Sequence, residues 1–136
     1  MNHPRTLNKP DFEQLSEFRY QMRRFERFSE RAAQDEGITP LQYLLLLHIK
    51  GYPGRDWATV GELAERLQSH HHGVVALVTR CETAGLVRRA PSEDDRRQVR
   101  VHLEPRGEDV LERLAALHRA ELKSLEGAFR VPQIDL

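Results

Sequence analysis

SHHHGVVALVTRCETAG, residues 69–85, sets Val74, Leu77, Val78 and Cys81 at i, i+3, i+4 and i+7, one apolar stripe at helical period. The opposite face carries His71, His72, Ala76, Thr79 and Arg80 and is mostly small or polar. Ser69 is of the type that caps a helix N-terminus, and Gly85 stands where a glycine ends a helix. Immediately upstream, Val60, Leu63, Ala64 and Leu67 repeat the stripe, and Thr59 with Glu62 forms a capping box. Only Gln68 and Ser69 separate the two helices. Two short amphipathic helices on so tight a turn read as a helix-turn-helix whose second helix reads DNA.

Downstream of Gly85, Leu86–Ala90 is predicted as a strand, Pro91–Asp95 as a turn and Gln98–Leu103 as a second strand. Val99, Val101 and Leu103 alternate there with Arg100 and His102, giving one buried and one solvated face. The tip of this hairpin is Ser92-Glu93-Asp94-Asp95-Arg96-Arg97. Pro105 opens a last helix with Val110, Leu111, Leu114, Leu117, Leu122 and Leu125 on its apolar side, ending at Val131-Pro132.

Upstream, Asp56-Trp57-Ala58 fits a very short strand after the turn-rich loop Gly51–Arg55. Before that loop, Thr39 and Gln42 form a second capping box, Pro40 suits the first helical position, and Ile38 can staple onto Tyr43. Leu41, Leu44, Leu45, Leu47, His48 and Ile49 make this helix apolar nearly all round, hence buried. A long first helix spans Asp11 to about Glu36, preceded by a polar, flexible lead-in over Met1–Pro10. Its seam of Leu15, Phe18, Met22 and Phe25 needs a cover, from a second subunit or from the monomer's own core. Arg19, Arg23, Arg24, Arg27 and Arg31 occupy much of its other surface.

A chain of 136 residues suits one domain with a modest core. The 21 basic residues balance the 21 acidic ones, so no global field marks a nucleic-acid partner. Between Arg66 and Arg106, however, eight arginines meet five acidic residues, a local balance of +3. Local patches govern DNA affinity, so overall neutrality does not argue against it. The single cysteine excludes an internal disulfide and a multi-cysteine zinc site. No apolar run spans a bilayer and Met1–Pro4 does not open a signal peptide, which points to a soluble, cytoplasmic chain without a membrane partner. No phosphate loop, nucleophile elbow or HExxH is present, so neither an enzyme nor a cofactor is expected.

The order of these elements, mainly α with a small β-hairpin wing, resembles the MarR family of winged helix-turn-helix transcriptional regulators. The resemblance rests on Thr39-Pro40-Leu41-Gln42-Tyr43, Val60–Leu67, Thr79-Arg80, Gly85-Leu86-Val87, and Asp95-Arg96-Arg97 followed by Val99, Val101, Leu103 and Gly107. It implies a single domain over 1–136, with residues 38–104 as the DNA-binding core and 11–36 and 105–130 as dimerisation helices. It further implies a homodimer, usually a repressor, on a pseudo-palindromic double-stranded operator. Arg97 would enter a minor groove, with Asp95 orienting its guanidinium and Arg96 between them, as suits a narrow groove of negative potential. Glu104 departs from the family's capping threonine, and the chain stops soon after Phe129, where many relatives continue into another dimerising helix.

The expected DNA contacts are therefore Ser69, His70, His71, His72, Gly73, Ala76 and Arg80 on the reader and Asp95, Arg96 and Arg97 on the wing. Val75 or Ala76 would meet a thymine methyl. Three successive histidines point about 100° apart and do not converge on one metal ion, so DNA contact is favoured over a metal. Protonated histidines at phosphates would strengthen operator affinity from about pH 8 to about pH 6. The alternative is neutral histidines bonded to phosphate or water. Arg80 has a second reading, as a partner of Glu82 or Asp94, and Arg88 and Arg89 read as solvated strand residues. Cys81 lies on the apolar stripe, as an inert hydrophobe would; peroxide-sensing relatives carry their cysteine in the first helix.

Regulators of this family are commonly released by small aromatic or phenolic ligands. Arg19, Tyr20, Tyr43, His48 and Trp57 are the candidate lining of such a site, with aromatic walls and a few polar handles. The alternative is that all five are ordinary core or surface residues. A rival from another class is a winged-helix module whose hairpin docks on a protein, which predicts negligible salt-dependent DNA binding.

Overall fold

The computed structural model describes residues 6–127 and 129–133. Asn8 starts the first helix: its side-chain oxygen accepts the Asp11 N–H at 3.1 Å while the Asp11 carboxylate accepts the Asn8 N–H at 3.0 Å. With Pro10 in the first turn, this reciprocal cap opens α1 (Lys9–Asp35) two residues before the expected start. The chain reverses at Gly37, whose φ of 78° suits a residue without Cβ. There the Ile38 N–H reaches the Ala33 carbonyl at 3.1 Å and the Gly37 N–H reaches Gln34 at 2.9 Å, a Schellman closure.

The expected Thr39–Gln42 box then opens α2 (Pro40–Lys50). It is followed by β1 (Trp57–Thr59), α3 (Val60–Leu67), α4 (His71–Thr83), β2 (Val87–Pro91), β3 (Val99–Leu103) and α5 (Pro105–Ser124). The sheet is antiparallel in the order β1-β3-β2, so Val101 faces Ala58 on one side and Arg89 on the other. The hairpin is thus the larger part of a three-stranded wing.

α2 is the hub, touching all four other helices and both β1 and β3. Its Leu45, Leu46 and Ile49 are fully buried with Leu63, Val74, Val78, Cys81, Leu86, Val101 and Leu114. Burying a side chain of this size contributes roughly 1.5–3 kcal/mol, so this cluster dominates the fold's stability. α5 closes the core from the other side. The His118 ring stacks on Tyr43 at 4.5 Å, its Nδ1 lies 2.7 Å from the Leu114 carbonyl, and its Nε2 lies 2.8 Å from the Ser29 hydroxyl. A carbonyl only accepts, so Nδ1 carries the proton, and in the neutral ring Nε2 accepts from Ser29. That one side chain joins α1, α2 and α5.

Several expectations need correction. Leu41 is 49% exposed because it sits in the first turn of α2 and faces outward. Val99 lies exposed at the mouth of the wing loop, so the buried alternation of β3 is confined to Val101 and the half-buried Leu103. β2 is shifted one residue later than expected and β3 starts one residue later. On α5 the buried set is Val110, Leu111, Leu114 and His118, while Leu117 and Leu122 are half exposed. At about 100° per residue, those two leucines fall on the flanks of the buried stripe. α5 also ends at Ser124, not near Val131-Pro132. Gly127 takes a φ of 90°, and Phe129 turns back to stack against Phe18 at 5.6 Å. Of the residues beyond Val131-Pro132, Gln133 is among those described.

Candidate nucleic-acid interface

The reader is built as its sequence dictates up to the turn. The Thr59 hydroxyl accepts the Glu62 N–H at 3.2 Å, and the Glu62 carboxylate accepts the Thr59 N–H at 2.8 Å. The turn itself is made by Gln68 in the left-handed region at φ 51°, with the Ser69 N–H bonded to the Ala64 carbonyl at 3.0 Å. Ser69 is not the cap of α4. Its hydroxyl donates to the Leu67 carbonyl at 3.3 Å, and His70 takes the N-cap position without a side-chain cap bond. The first N–H groups of α4 are thereby left to water or to an external acceptor. The C-terminal end is as expected, a Schellman closure with the Leu86 N–H on Cys81 at 2.9 Å, the Gly85 N–H on Glu82 at 3.0 Å and Gly85 at φ 77°.

Val74, Leu77, Val78 and Cys81 are buried on α4, while His70, His71, His72, Gly73, Val75, Ala76, Thr79 and Arg80 are exposed. The His71 and His72 rings stand edge to face, 6.4 Å apart. Arg80 joins neither expected partner, because Glu82 is paired with Arg89 and Asp94 with Arg100.

The wing tip is folded by backbone bonds to small acceptors. The buried Ser92 hydroxyl accepts from the N–H groups of Asp94 and Asp95, both at 3.3 Å. Contrary to the expectation that Asp95 orients the Arg97 guanidinium, its carboxylate accepts the Arg97 backbone N–H at 2.9 Å. The aspartate therefore shapes the turn and leaves the arginine head outside. Arg96 and Arg97 are exposed, and neither forms an ion pair among the described residues. Wing and reader meet over a cleft of about 360 Å³ lined by Thr59, Gly61, His71, Val75, Arg97 and Val99.

Arg89 was expected in solvent and is instead bonded to α4. Its Nη1 donates to Glu82 at 2.7 Å, and its Nη2 donates to the Val75 carbonyl at 3.0 Å and the Thr79 hydroxyl at 2.8 Å. The signal was present in the sequence: Arg89 lies two residues from Val87, hence on the same inward face of β2.

The five candidate effector residues stand apart in the protomer. Tyr43 is in the core against His118, and burial pushes its phenol pKa up. Trp57 lies between two guanidiniums, those of Arg55 and Arg100, each 3.9 Å from its ring centroid. His48 is half-buried; burial, then the charge of Arg66, pushes its imidazole pKa down. Arg19 and Tyr20 are exposed on α1, and the shallow cleft that Arg19 lines with Met22, Arg23 and Glu26 holds none of the other four.

A helix-turn-helix carrying an arginine-tipped β-wing beside its second helix defines a winged helix-turn-helix protein. The model of the MarR family matches residues 36–98. Over that stretch, and in the order of its elements, the chain is similar to the MarR family of transcription regulators. It is 31% identical over 96 residues to a Thauera aromatica protein named as a transcriptional regulatory protein for the hcr operon. That alignment covers 71% of this chain and 56% of the relative, so little more than half of the relative's length is represented. Its fold is similar to AbsC, a MarR family transcriptional regulator from Streptomyces coelicolor, with TM-score 0.78 at 24% identity over 94% of this chain and 86% of that one. It is also similar to a mutant of S. aureus MepR bound to an oligodeoxyribonucleotide, with TM-score 0.67 at 19% identity over 85% of this chain and 82% of the other. Among the described residues, no helix is long and apolar enough to cross a membrane.

Proposed function

We propose that this chain is a sequence-specific DNA-binding repressor that acts as a homodimer on a pseudo-palindromic operator. The observation that carries the reading is the shared cleft: the exposed first turn of α4 and the exposed Arg97 of the wing open onto the same side of the molecule. A duplex laid there places His70, His71, His72, Gly73 and Ala76 at the major-groove base edges, with Ser69 and Arg80 at the flanks of the reader. Asp95, Arg96 and Arg97 then reach the adjacent minor groove. The oligonucleotide held by the MepR mutant, a protein of similar fold, supports the reading.

Two-fold symmetry would set the two readers about one helical turn, roughly 10 bp, apart. Phe12, Leu15, Leu117 and Leu122 are exposed apolar residues of α1 and α5, the helices assigned to the dimer. A small aromatic or phenolic ligand would release the operator, from a lining that includes some of Arg19, Tyr20, Tyr43, His48 and Trp57.

The test is fluorescence anisotropy with DNA from upstream of the protein's own gene, against random duplex, across a salt series. Specific binding with a steep salt slope, at a stoichiometry of two chains per operator, is the expected result. Equal, weak and salt-insensitive binding to both duplexes would sink the reading and favour a wing that docks on a protein.

A further inference from the structure

We infer that Arg89 is a positioning residue that fixes the wing against the recognition helix, so that major-groove and minor-groove contacts are made in one register. The inference rests on the DNA-binding reading and names a residue that reading does not use. Four of its bonds run to α4. The Arg89 backbone N–H donates to Glu82 Oε2 at 3.1 Å, Nη1 to Glu82 Oε1 at 2.7 Å, and Nη2 to Val75 O at 3.0 Å and Thr79 Oγ1 at 2.8 Å. Val75, Thr79 and Glu82 lie at i, i+4 and i+7, so one guanidinium spans two turns along a single edge of the reader. The Thr79 hydroxyl in turn donates to the Val75 carbonyl at 3.0 Å, which closes the group.

The location matters as much as the bonds. Arg89 faces Val101 across the ladder, so the clamp acts on the strand pair that ends in the wing loop. Two residues of the reader's exposed face, Val75 and Thr79, are thereby tied to the strand that leads into the wing loop, where Arg97 lies. A charge-assisted, planar fork is well suited to holding such a geometry, and a lysine at this site makes no comparable set of bonds. Beyond the base of the sheet, where Val87 and Val101 join the core, the wing tip and the reader face each other across the cleft, which Arg89 itself lines. Without Arg89 the base of the sheet stays packed in the core, but the polar tie between the wing strand and the exposed edge of the reader is lost.

Electrostatics and positioning predict opposite signs at Glu82. This carboxylate stands on the DNA-facing helix, so removing its charge favours binding to a polyanion on charge alone. If Glu82 serves as an anchor for Arg89, Glu82→Gln weakens operator binding instead. Arg89→Met and Glu82→Gln are compared with the wild type in two measurements. The first is DNA-free: spin labels at Gly73→Cys and Gln98→Cys report the reader-to-wing distance distribution by electron–electron dipolar spectroscopy. The second is anisotropy with the operator and with random duplex.

The expected result is a broadened distance distribution in both variants. Operator affinity should fall roughly tenfold, about one base pair's worth of readout, with random-duplex affinity unchanged. Arg89→Lys should not restore either. An unchanged distance distribution overturns the clamp. So does an Arg89→Met loss that is equal on both duplexes with a shallower salt slope, which marks a phosphate contact. Tighter operator binding by Glu82→Gln also overturns it. Should the wild type itself bind both duplexes equally, weakly and without salt dependence, the DNA-binding reading falls while the distance measurement still decides the clamp.

Discussion

Arg100 rests its guanidinium 3.9 Å from the centroid of the Trp57 ring, joining the base of the wing to β1. Arg55 occupies the ring at the same 3.9 Å and is ion-paired with Glu62, while Arg100 pairs with Asp94 at 3.3 Å. A relay thus runs from the N-terminus of α3 through Trp57 to the wing loop. A partly desolvated cation–π contact contributes about 1–2 kcal/mol. Arg100→Ala is expected to cost that much in urea unfolding. Trp57 is the only tryptophan in the sequence, so the same variant should shift intrinsic emission to the red. Unchanged emission would mean that Arg100 does not cover the ring.

Gly107 is required by packing. A Cβ built there would stand 2.1 Å from the Leu86 carbonyl oxygen, a backbone atom that also accepts the Glu104 N–H at 2.9 Å. The first turn of α5 therefore crosses the reader's exit at a distance only glycine permits. Gly107→Ala is expected to cost about 3 kcal/mol, the upper end for overpacking, because neither backbone segment can yield. Gly61→Ala, where an added Cβ meets nothing within 4 Å, is the control and should change stability little.

Cys81 is fully buried, and burial pushes its thiol pKa up to about 11, against an opposing pull from Arg80. At pH 8 about one thiol in a thousand is then ionised, and the thiolate is the reactive form. Ellman's reagent should label the native chain at least 100-fold more slowly than the urea-unfolded chain, in which the thiol regains its ordinary reactivity. Labelling at equal rates would remove Cys81 from the core and reopen a redox role.

Much of the fold was legible because helix ends are written locally. Thr39–Gln42, Thr59–Glu62 and Gly85 each signal over four residues or fewer, and each does in the structure what its spacing predicts. The Asn8–Asp11 box is equally local, but it lies in a polar stretch whose composition reads as a flexible lead-in. The DNA-facing residues of α4 were legible from the complement of its apolar stripe. What periodicity does not carry is the partner of a polar side chain. Arg89 reaches Val75 across 14 residues, and Asp95 serves the Arg97 backbone instead of its head. Proximity of the five proposed effector residues had no local signal at all.

Three carboxylates contribute to the acid response. Glu82 is held below its ordinary pKa by the Arg89 backbone N–H and then its guanidinium, and Glu36 by bonds from Arg113 at 2.8 and 2.9 Å. At Glu62 burial pushes upward, but bonds from Thr59, Tyr52 and Arg55 outweigh it and the pKa is lowered. A depressed native pKa means that the unfolded chain binds more protons in acid. Stability from these groups is therefore full above the ordinary glutamate value of 4.5 and lost as pH falls through the lower native values. Urea midpoints should fall steadily below about pH 4.5. The fall should be shallower in Glu82→Gln, and an identical profile in that variant would show that Glu82 carries no such linkage.

Arg97 and Asp95 divide the work of the wing tip between a head group and a backbone. The Asp95 carboxylate accepts the Arg97 N–H at 2.9 Å, while the Arg97 guanidinium, beside the cleft, forms no ion pair among the described residues. A minor-groove arginine neutralises phosphate charge, so Arg97→Ala should weaken binding to operator and random duplex alike. It should also reduce the magnitude of the salt slope by about 0.9 per wing, hence about twice that for a dimer. Asp95 separates the two possible uses of its side chain. If it oriented the guanidinium by charge, Asp95→Asn would behave like Asp95→Ala. As an acceptor for a backbone N–H it needs only an oxygen at that position, which asparagine keeps. Asp95→Asn should therefore bind DNA as the wild type does, or slightly better for the lost negative charge. Asp95→Ala should lose the turn and, with it, most of what Arg97 contributes. Equal losses in Asn and Ala variants would return the aspartate to an ion-pairing role and require the wing tip to rearrange on DNA.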